Sequence, residues 1–151
     1  MRIAYAESVE VSIMAYWLCI TNSENWEIIK KENLWGIPEK KKMPDVKPGD
    51  KLVFYVKQEG PQGFPKIVGV FEAVSEPFED TTKVFKAPPN SDEVYLKRIR
   101  IKPIKIFDNP KNFRELKDKV SFIKSKQYWS LSLLGRSMIK LSDKDFELLS
   151  M

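Results

Sequence analysis

Two apolar segments, "KLVFYVK" (51–57) and "KIVGVFEAVSE" (66–76), constrain the fold of this 151-residue chain more than any other feature. In the first, Leu52, Phe54 and Val56 fall on one side and Val53, Tyr55 and Lys57 on the other, which is the two-residue period of a β-strand. Just before it, "VKPGDK" sets Pro48 and Gly49 at the centre of a type II turn, because proline fixes the first φ and glycine accepts the positive second one. The loop "QEGPQGFP" separates the two segments, so the second is expected to return beside the first. Gly69 interrupts that second strand and marks a bulge or a close approach of another backbone. A third alternating run, "EVYLKRIRIKPIKIF", turns Val94, Leu96, Ile99 or Ile101 and Ile104 inward with basic residues between, and Pro103 predicts a bend or an edge in it.

Around these strands the pattern changes. "AYWLCI" (15–20) is dense in aromatic and branched residues and reads as a central strand. Asn22 or Ser23 then caps a helix whose apolar side carries Trp26 and Ile29, and Asn33 is its expected stop. Trp35, next to Gly36 and just before Ile37-Pro38, lies where neither helix nor strand is expected. Its indole is either a lid on the core or a flat surface for a flat ligand. Residues 77–92 read as a long connection, and "NPKNFRELKDKVSFI" reads as a helix capped by Asn109 with Pro110 in its first turn. "YWSLSLLGRSMIKL" is apolar but irregular, and "SDKDFELLS" closes the sequence as a short helix with Ser142 and Asp145 at capping-box spacing. Helices inserted among strands without steady βαβ alternation predict an α+β fold. Its curved, largely antiparallel sheet is of the kind that closes into a small barrel with a pocket at the mouth.

Composition narrows the function. No apolar run approaches the ~20 residues that span a bilayer, and "MRIAYAESVE" carries acids too early for a secretory signal. An intracellular, cytoplasmic protein with no membrane partner is the expectation. The single Cys19 sits in an apolar run and reads as a small buried hydrophobe. Histidine is absent, which removes Ser-His and Cys-His nucleophile activation and the commonest zinc ligand. There is no cysteine cluster for a metal and no glycine-rich phosphate loop. Binding is therefore expected rather than catalysis, with no cofactor. Charge is uneven: residues 97–144 hold 14 Lys/Arg against four acids, whereas residues 1–96 hold 12 against 15. That asymmetry can build a face that attracts phosphates, or simply a solvated lysine-rich surface.

Four blocks, "YWLCITNSENWEII…LWGIP", "VKPGDKLVFYV", "KIVGVFEAVSEPF" and "YWSLSLLGRSMIKLSDKDFELL", resemble the EVE domain, a member of the PUA-like superfamily. The resemblance covers residues 14–151 and leaves residues 1–13 as an N-terminal appendage. It implies a PUA-like pseudo-barrel of about five or six mostly antiparallel strands with helices around it. EVE domains are similar to YTH domains, which hold an N6-methylated adenine in an aromatic cage, and are associated with modified bases in DNA or RNA.

Carried over by position, the resemblance implies that Asn22 and Asn25 hydrogen-bond a base edge and that Trp35 stacks on the base. Gly36 stands where YTH domains have a serine, so a backbone contact would replace the hydroxyl. Trp129, with Ser130 beside it, is implied as the second cage wall. Tyr55 and Lys57 line the same mouth, unless Tyr55 belongs to the core, and Arg136 reaches a phosphate or pairs with Asp143. The implied function is a non-catalytic reader of a modified nucleobase, with the basic segment from Lys97 onward holding the flanking backbone. A nuclease or an RNA-modification protein would be its partner. The alternatives are an RNA shape-binding accessory domain without base specificity, or a small carboxylate-dependent enzyme.

Overall fold

The expected hairpin at 51–76 forms the middle of a curled sheet. A computed structural model describes residues 14–151, and the sequence-predicted appendage at 1–13 lies outside the described residues. The hairpin strands are β3 (Lys51–Val56) and β4 (Lys66–Ala73). They are preceded by β1 (Tyr16–Thr21), α1 (Ser23–Glu32) and β2 (Leu34–Ile37). After them come β5 (Phe78–Glu79), β6 (Lys97–Asn112), β7 (Met138–Leu141) and α2 (Asp143–Ser150). The sheet order is β2-β6-β4-β3-β1-β7, with β5 also on β6. Every pairing is antiparallel except β1 with β3, where Tyr16 faces Lys51 and Thr21 faces Val56.

Local chemistry sets the element ends as read from the sequence. Asn22 accepts the Asn25 N–H at 2.8 Å and caps α1, and Asn33 ends it in the left-handed conformation (φ 53°). Gly49 takes a φ of 98° in the turn before β3. Gly69 sits at register shifts, and a Cβ there would come within 2.8 Å of the Lys105 carbonyl oxygen, so β6 can cross β4 closely only at a glycine. Ser142 accepts the Asp145 N–H at 3.1 Å and caps α2.

Both faces of the sheet are covered, which is why "YWLCI" reads as unbroken apolar chain. Trp17, Cys19, Leu52, Phe54 and Phe71 pack on one face with Trp26 and Ile29 of α1. Leu18, Ile20, Val53, Tyr55 and Ile67 pack on the other with Phe113, Leu133 and Leu149.

Two expectations are corrected. Trp35 lies in a regular strand, β2, paired with Ile99 of β6. The edge that Arg98–Arg100 offers there outweighs the breaking tendency of the nearby Gly36 and Pro38. The helix expected from Asn109 is not formed. Asn109 and Pro110 extend β6, because Lys66 and Ile67 of β4 pair with Asn112 and Lys111. Phe113 then enters the second core through two short 3-10 turns. Most of the basic residues from Lys97 onward are exposed, while the fold itself uses a few of them. Arg98 is 1% exposed, Lys102 pairs with Glu72 at 3.4 Å, and Lys111 donates to the Leu149 carbonyl at 3.1 Å.

Candidate functional site

A cavity of about 510 Å³ opens where the end of β1, the first turn of α1 and β2 meet residues 130–137. That size falls within the ~300–1,000 Å³ usual for small-molecule and cofactor sites. Eight of the nine sequence-predicted residues line it: Asn22, Asn25, Trp35, Gly36, Tyr55, Lys57, Ser130 and Arg136. Trp129 does not. Its ring packs 5.7 Å from Phe113 on the second core face, drawn there by the aromatic cluster that Phe113 builds with Tyr55 and Phe122.

Phe85 and Tyr95 stand in the aromatic wall instead; the sequence reads Phe85 as connection and Tyr95 as an outward position of the third alternating run. Their placement begins at Gly36. A Cβ on Gly36 would lie 2.7 Å from the Phe85 ring and 2.8 Å from the Tyr95 carbonyl oxygen. The hydrogen side chain, in place of the serine of the YTH pattern, is what lets these two residues close over β2. Their rings meet edge to face at 5.8 Å.

Buried Arg98 organises the segment that carries them. Its guanidinium donates to the carbonyls of Tyr95 (3.0 Å), Val94 (2.9 Å) and Thr82, and lies over the Phe85 ring at 5.4 Å. Asp80 stands 3.7 Å away. Burial lowers the Arg98 pKa, and Asp80 opposes that shift. Tyr95 has a φ of 54°, strained for a side chain that size, and Glu93 accepts its N–H at 2.8 Å. Burial and Glu93 both raise the Tyr95 pKa.

Some polar groups of the lining are already used, and one is buried without a partner among the described residues. Asn25 spends its amide on the backbone of Lys86, donating at 3.1 Å and accepting at 2.7 Å. It is thereby a clamp on the Phe85 segment rather than an open base-edge reader. Asn22 uses its oxygen as the helix cap. Tyr55 is 5% exposed and T-stacked on Phe113 at 5.2 Å, so it belongs to the core and the cavity at once; burial pushes its pKa up to about 12. Trp35 is 3% exposed, edge-on to Phe54 at 5.4 Å. Its Nε1–H is buried and has no acceptor among the described residues. An unpaired buried donor costs ~1–3 kcal/mol, and such groups in native structures call for an explanation.

Electrostatics at the mouth is one-sided. Lys40, Lys41, Lys57 and Arg136 line the cavity, and the lining contains no aspartate or glutamate. A second cleft of about 430 Å³ shares Lys41 and Gly135–Ser137 with the first and adds Lys42 and Lys140. Three of these cations come from the 40–42 run, inside the part of the chain that is acidic on balance. No group of His, Cys, Asp or Glu among the described residues is arranged to hold a metal ion, and no described helix is long and apolar enough to cross a membrane.

A curled sheet flanked by helices, with its cavity at the open end between β1 and β2, is a PUA-like pseudo-barrel. The EVE domain description matches residues 15–151, and the chain belongs to that family. A UPF0310 protein of Pyrococcus abyssi is 49% identical over 141 residues, covering 90% of this chain and 97% of its own length. Among solved structures, human THYN1 protein in complex with 5-methylcytosine-containing DNA has a TM-score of 0.58 at 16% identity, covering 90% of this chain and 95% of its own. The Mmi1 YTH domain has a TM-score of 0.56 at 19% identity, covering 90% of this chain and 72% of its own. At those identities both structures establish likeness of fold.

Proposed function

We propose that this EVE domain is a non-catalytic nucleic-acid-binding module that takes a modified nucleobase into the cavity beside Trp35. The observation that carries the reading is Trp35, its Nε1–H orphaned, among the residues that line an aromatic cavity without carboxylates. A base brings what the site lacks: a flat apolar face for Trp35, Phe85 and Tyr95, and ring or carbonyl acceptors for the indole N–H. Stacking on an aromatic side chain contributes ~1–3 kcal/mol per base. A methyl group buried against these walls adds about 0.8 kcal/mol, roughly a fourfold preference over the unmodified base. Lys40, Lys41, Lys57 and Arg136 supply the positive potential that draws a phosphodiester strand to the mouth.

The 5-methylcytosine DNA bound by human THYN1 makes that base the first probe. The experiment titrates short single-stranded oligonucleotides, each carrying one 5-methylcytosine, 5-hydroxymethylcytosine, N6-methyladenine or unmodified base, and compares dissociation constants at fixed salt. A preference of roughly fourfold or more for one modified base is expected. Equal affinity across the panel overturns the reading and leaves a binder that recognises backbone and shape.

A further inference from the structure

Residues 128–134 carry an apolar ridge that the core does not use. Backbone N–H groups of Leu131, Leu133 and Leu134 donate to the carbonyls three residues earlier, at 3.1, 3.1 and 3.4 Å. This stretch therefore winds at three residues per turn around the 3-10 helix Trp129–Ser132. At that pitch Tyr128, Leu131 and Leu134 stack along one edge. They are 58%, 64% and 75% exposed, three of the seven large hydrophobic residues exposed among those described. The inward side of the same turn is satisfied separately: Trp129 packs on Phe113, and Leu133 is 7% exposed in the second core. The ridge is thus not a misplaced core face. It ends at the cavity, since Leu134 lines it and is followed directly by Gly135, with a φ of 71°, and the cavity cation Arg136. Lys41 donates its Nζ to the Gly135 carbonyl and pins this lip to the 38–42 segment.

We propose that Leu134, backed by Leu131, is a wedge that enters the base stack of duplex DNA and fills the gap left by the base taken into the cavity. This inference rests on the reading of the cavity as a base pocket and extends it to the form of the ligand. A base inside a duplex cannot reach a recessed cavity without leaving its stack, and apolar side chains inserted at a base step are a known way to hold such a gap open. The setting matches that occupant. Apolar side chains face a stack of bases, and Lys40, Lys41 and Arg136 stand beside them with no carboxylate in the cavity lining to repel phosphates. A second copy of the chain fits less well, since three side chains expose on the order of 300 Å², short of the ~800 Å² per partner of a stable interface.

The test uses one duplex carrying a single 5-methylcytosine with 2-aminopurine as its 3′ neighbour, and the same strand alone. Wild type, Leu131→Ser/Leu134→Ser and Leu134→Phe are compared by dissociation constant and by 2-aminopurine fluorescence. Wild type is expected to bind the duplex and raise the fluorescence as the stack opens. The double serine variant is expected to lose roughly tenfold or more on the duplex, together with the fluorescence rise, and, because Leu134 also lines the cavity, to lose a clearly smaller factor on the single strand. Leu134→Phe, which keeps an apolar wedge, is expected to retain both. Equal loss on both ligands, no loss on the duplex, or a wild type that does not bind duplex each overturns the proposal. Sedimentation that shows a wild-type dimer dissolved by the serine changes also overturns it, in favour of self-association. A modified-to-unmodified ratio of one on the single strand sinks the base reading instead. A duplex-only loss would then still support the wedge, because an unmodified flipped base leaves the same gap.

Discussion

Asn25 and Lys86 exchange two hydrogen bonds, side-chain amide to main chain, across 61 residues of sequence: Nδ2 to the Lys86 carbonyl at 3.1 Å, and the Lys86 N–H to Oδ1 at 2.7 Å. The amide behaves as a short length of strand edge. It ties the first turn of α1 to the segment that brings Phe85 against Gly36. Asn25→Ala is expected to leave two backbone groups unpaired and cost ~1–3 kcal/mol in denaturant unfolding. It should also expose Lys83 and Lys86 to trypsin under native conditions. Unchanged cleavage at those lysines would show that Arg98 alone suffices to hold the segment.

Gly36 is a packing requirement, so restoring the serine of the YTH pattern is expected to harm the protein. Both Gly36→Ala and Gly36→Ser place a Cβ 2.7 Å from the Phe85 ring and 2.8 Å from the Tyr95 carbonyl, and overpacking of this kind costs ~1–3 kcal/mol. Adding Phe85→Ala to Gly36→Ala should recover part of that loss, because it removes the nearer obstacle. Additive destabilisation in the double variant would place the strain at the Tyr95 backbone alone.

What the sequence revealed and what it hid follow from how local each cause is. Caps at Asn22 and Ser142, the Pro48-Gly49 turn and the Gly69 crossing depend on one or two residues and their neighbours, and all four were legible. The continuation of β6 through Asn109-Pro110 depends on β4, some 40 residues earlier in the chain, which has no expression in the local pattern. Trp129 and Trp35 look alike as isolated indoles, yet Phe113 draws the first onto the second core face, whereas β2 sets the second beside the cavity. Phe85 was hidden because a polar, proline-rich stretch reads as solvent-exposed chain, and Tyr95 because it falls between the inward positions Val94 and Leu96 of an alternating run. The signal that could have found them is Arg98, an arginine at an inward-facing register of an apolar strand, which needs nearby backbone carbonyls to satisfy it.

Tyr55 predicts an alkaline limit to stability. Its folded pKa is raised to about 12 by burial, above the ordinary tyrosine value near 10. The unfolded chain therefore loses its proton first as pH rises. The stabilisation is complete below pH ~10 and declines between ~10 and ~12. Tyr55→Phe removes this titration, so wild type should lose stability through that window while the variant does not, and their melting temperatures should diverge most above it. Phenolate absorbance should resolve Tyr55 as a late-titrating tyrosine, with Tyr95 also displaced upward. A titration in which all five tyrosines ionise together near pH 10 would contradict the burial of this hydroxyl.

The cations at the mouth should be visible as salt dependence. Lys40, Lys41, Lys57 and Arg136 are placed to meet phosphates, so binding of an unmodified oligonucleotide should weaken steeply from low to physiological salt. Lys57→Gln is expected to lower the slope of log K against log salt by about one, equally for modified and unmodified strands. Lys102→Gln, which removes a partner of Glu72 outside the cavity lining, should leave the slope unchanged. A slope that responds to Lys102 and not to Lys57 would move the phosphate track onto β6.

Trp35 separates packing from recognition, provided the substitution is chosen for its chemistry. At 3% exposure and edge-on to Phe54, the indole is core, so Trp35→Ala is expected to cost ~3–5 kcal/mol of stability and to confound any binding measurement. Trp35→Phe keeps an aromatic face and removes only the part of the ring that carries Nε1–H. Because that donor has no acceptor among the described residues, its removal relieves a buried unpaired group and offsets some of the lost packing, and the melting temperature should change little. If the donor serves a bound base, the same change should weaken binding of the preferred modified oligonucleotide by about 1 kcal/mol or more, roughly fivefold, with stability preserved. Titration of both variants alongside their denaturant curves gives the decision. Binding by Trp35→Phe indistinguishable from wild type would reduce the indole N–H to a tolerated defect of the core and remove the observation on which the base-pocket reading stands.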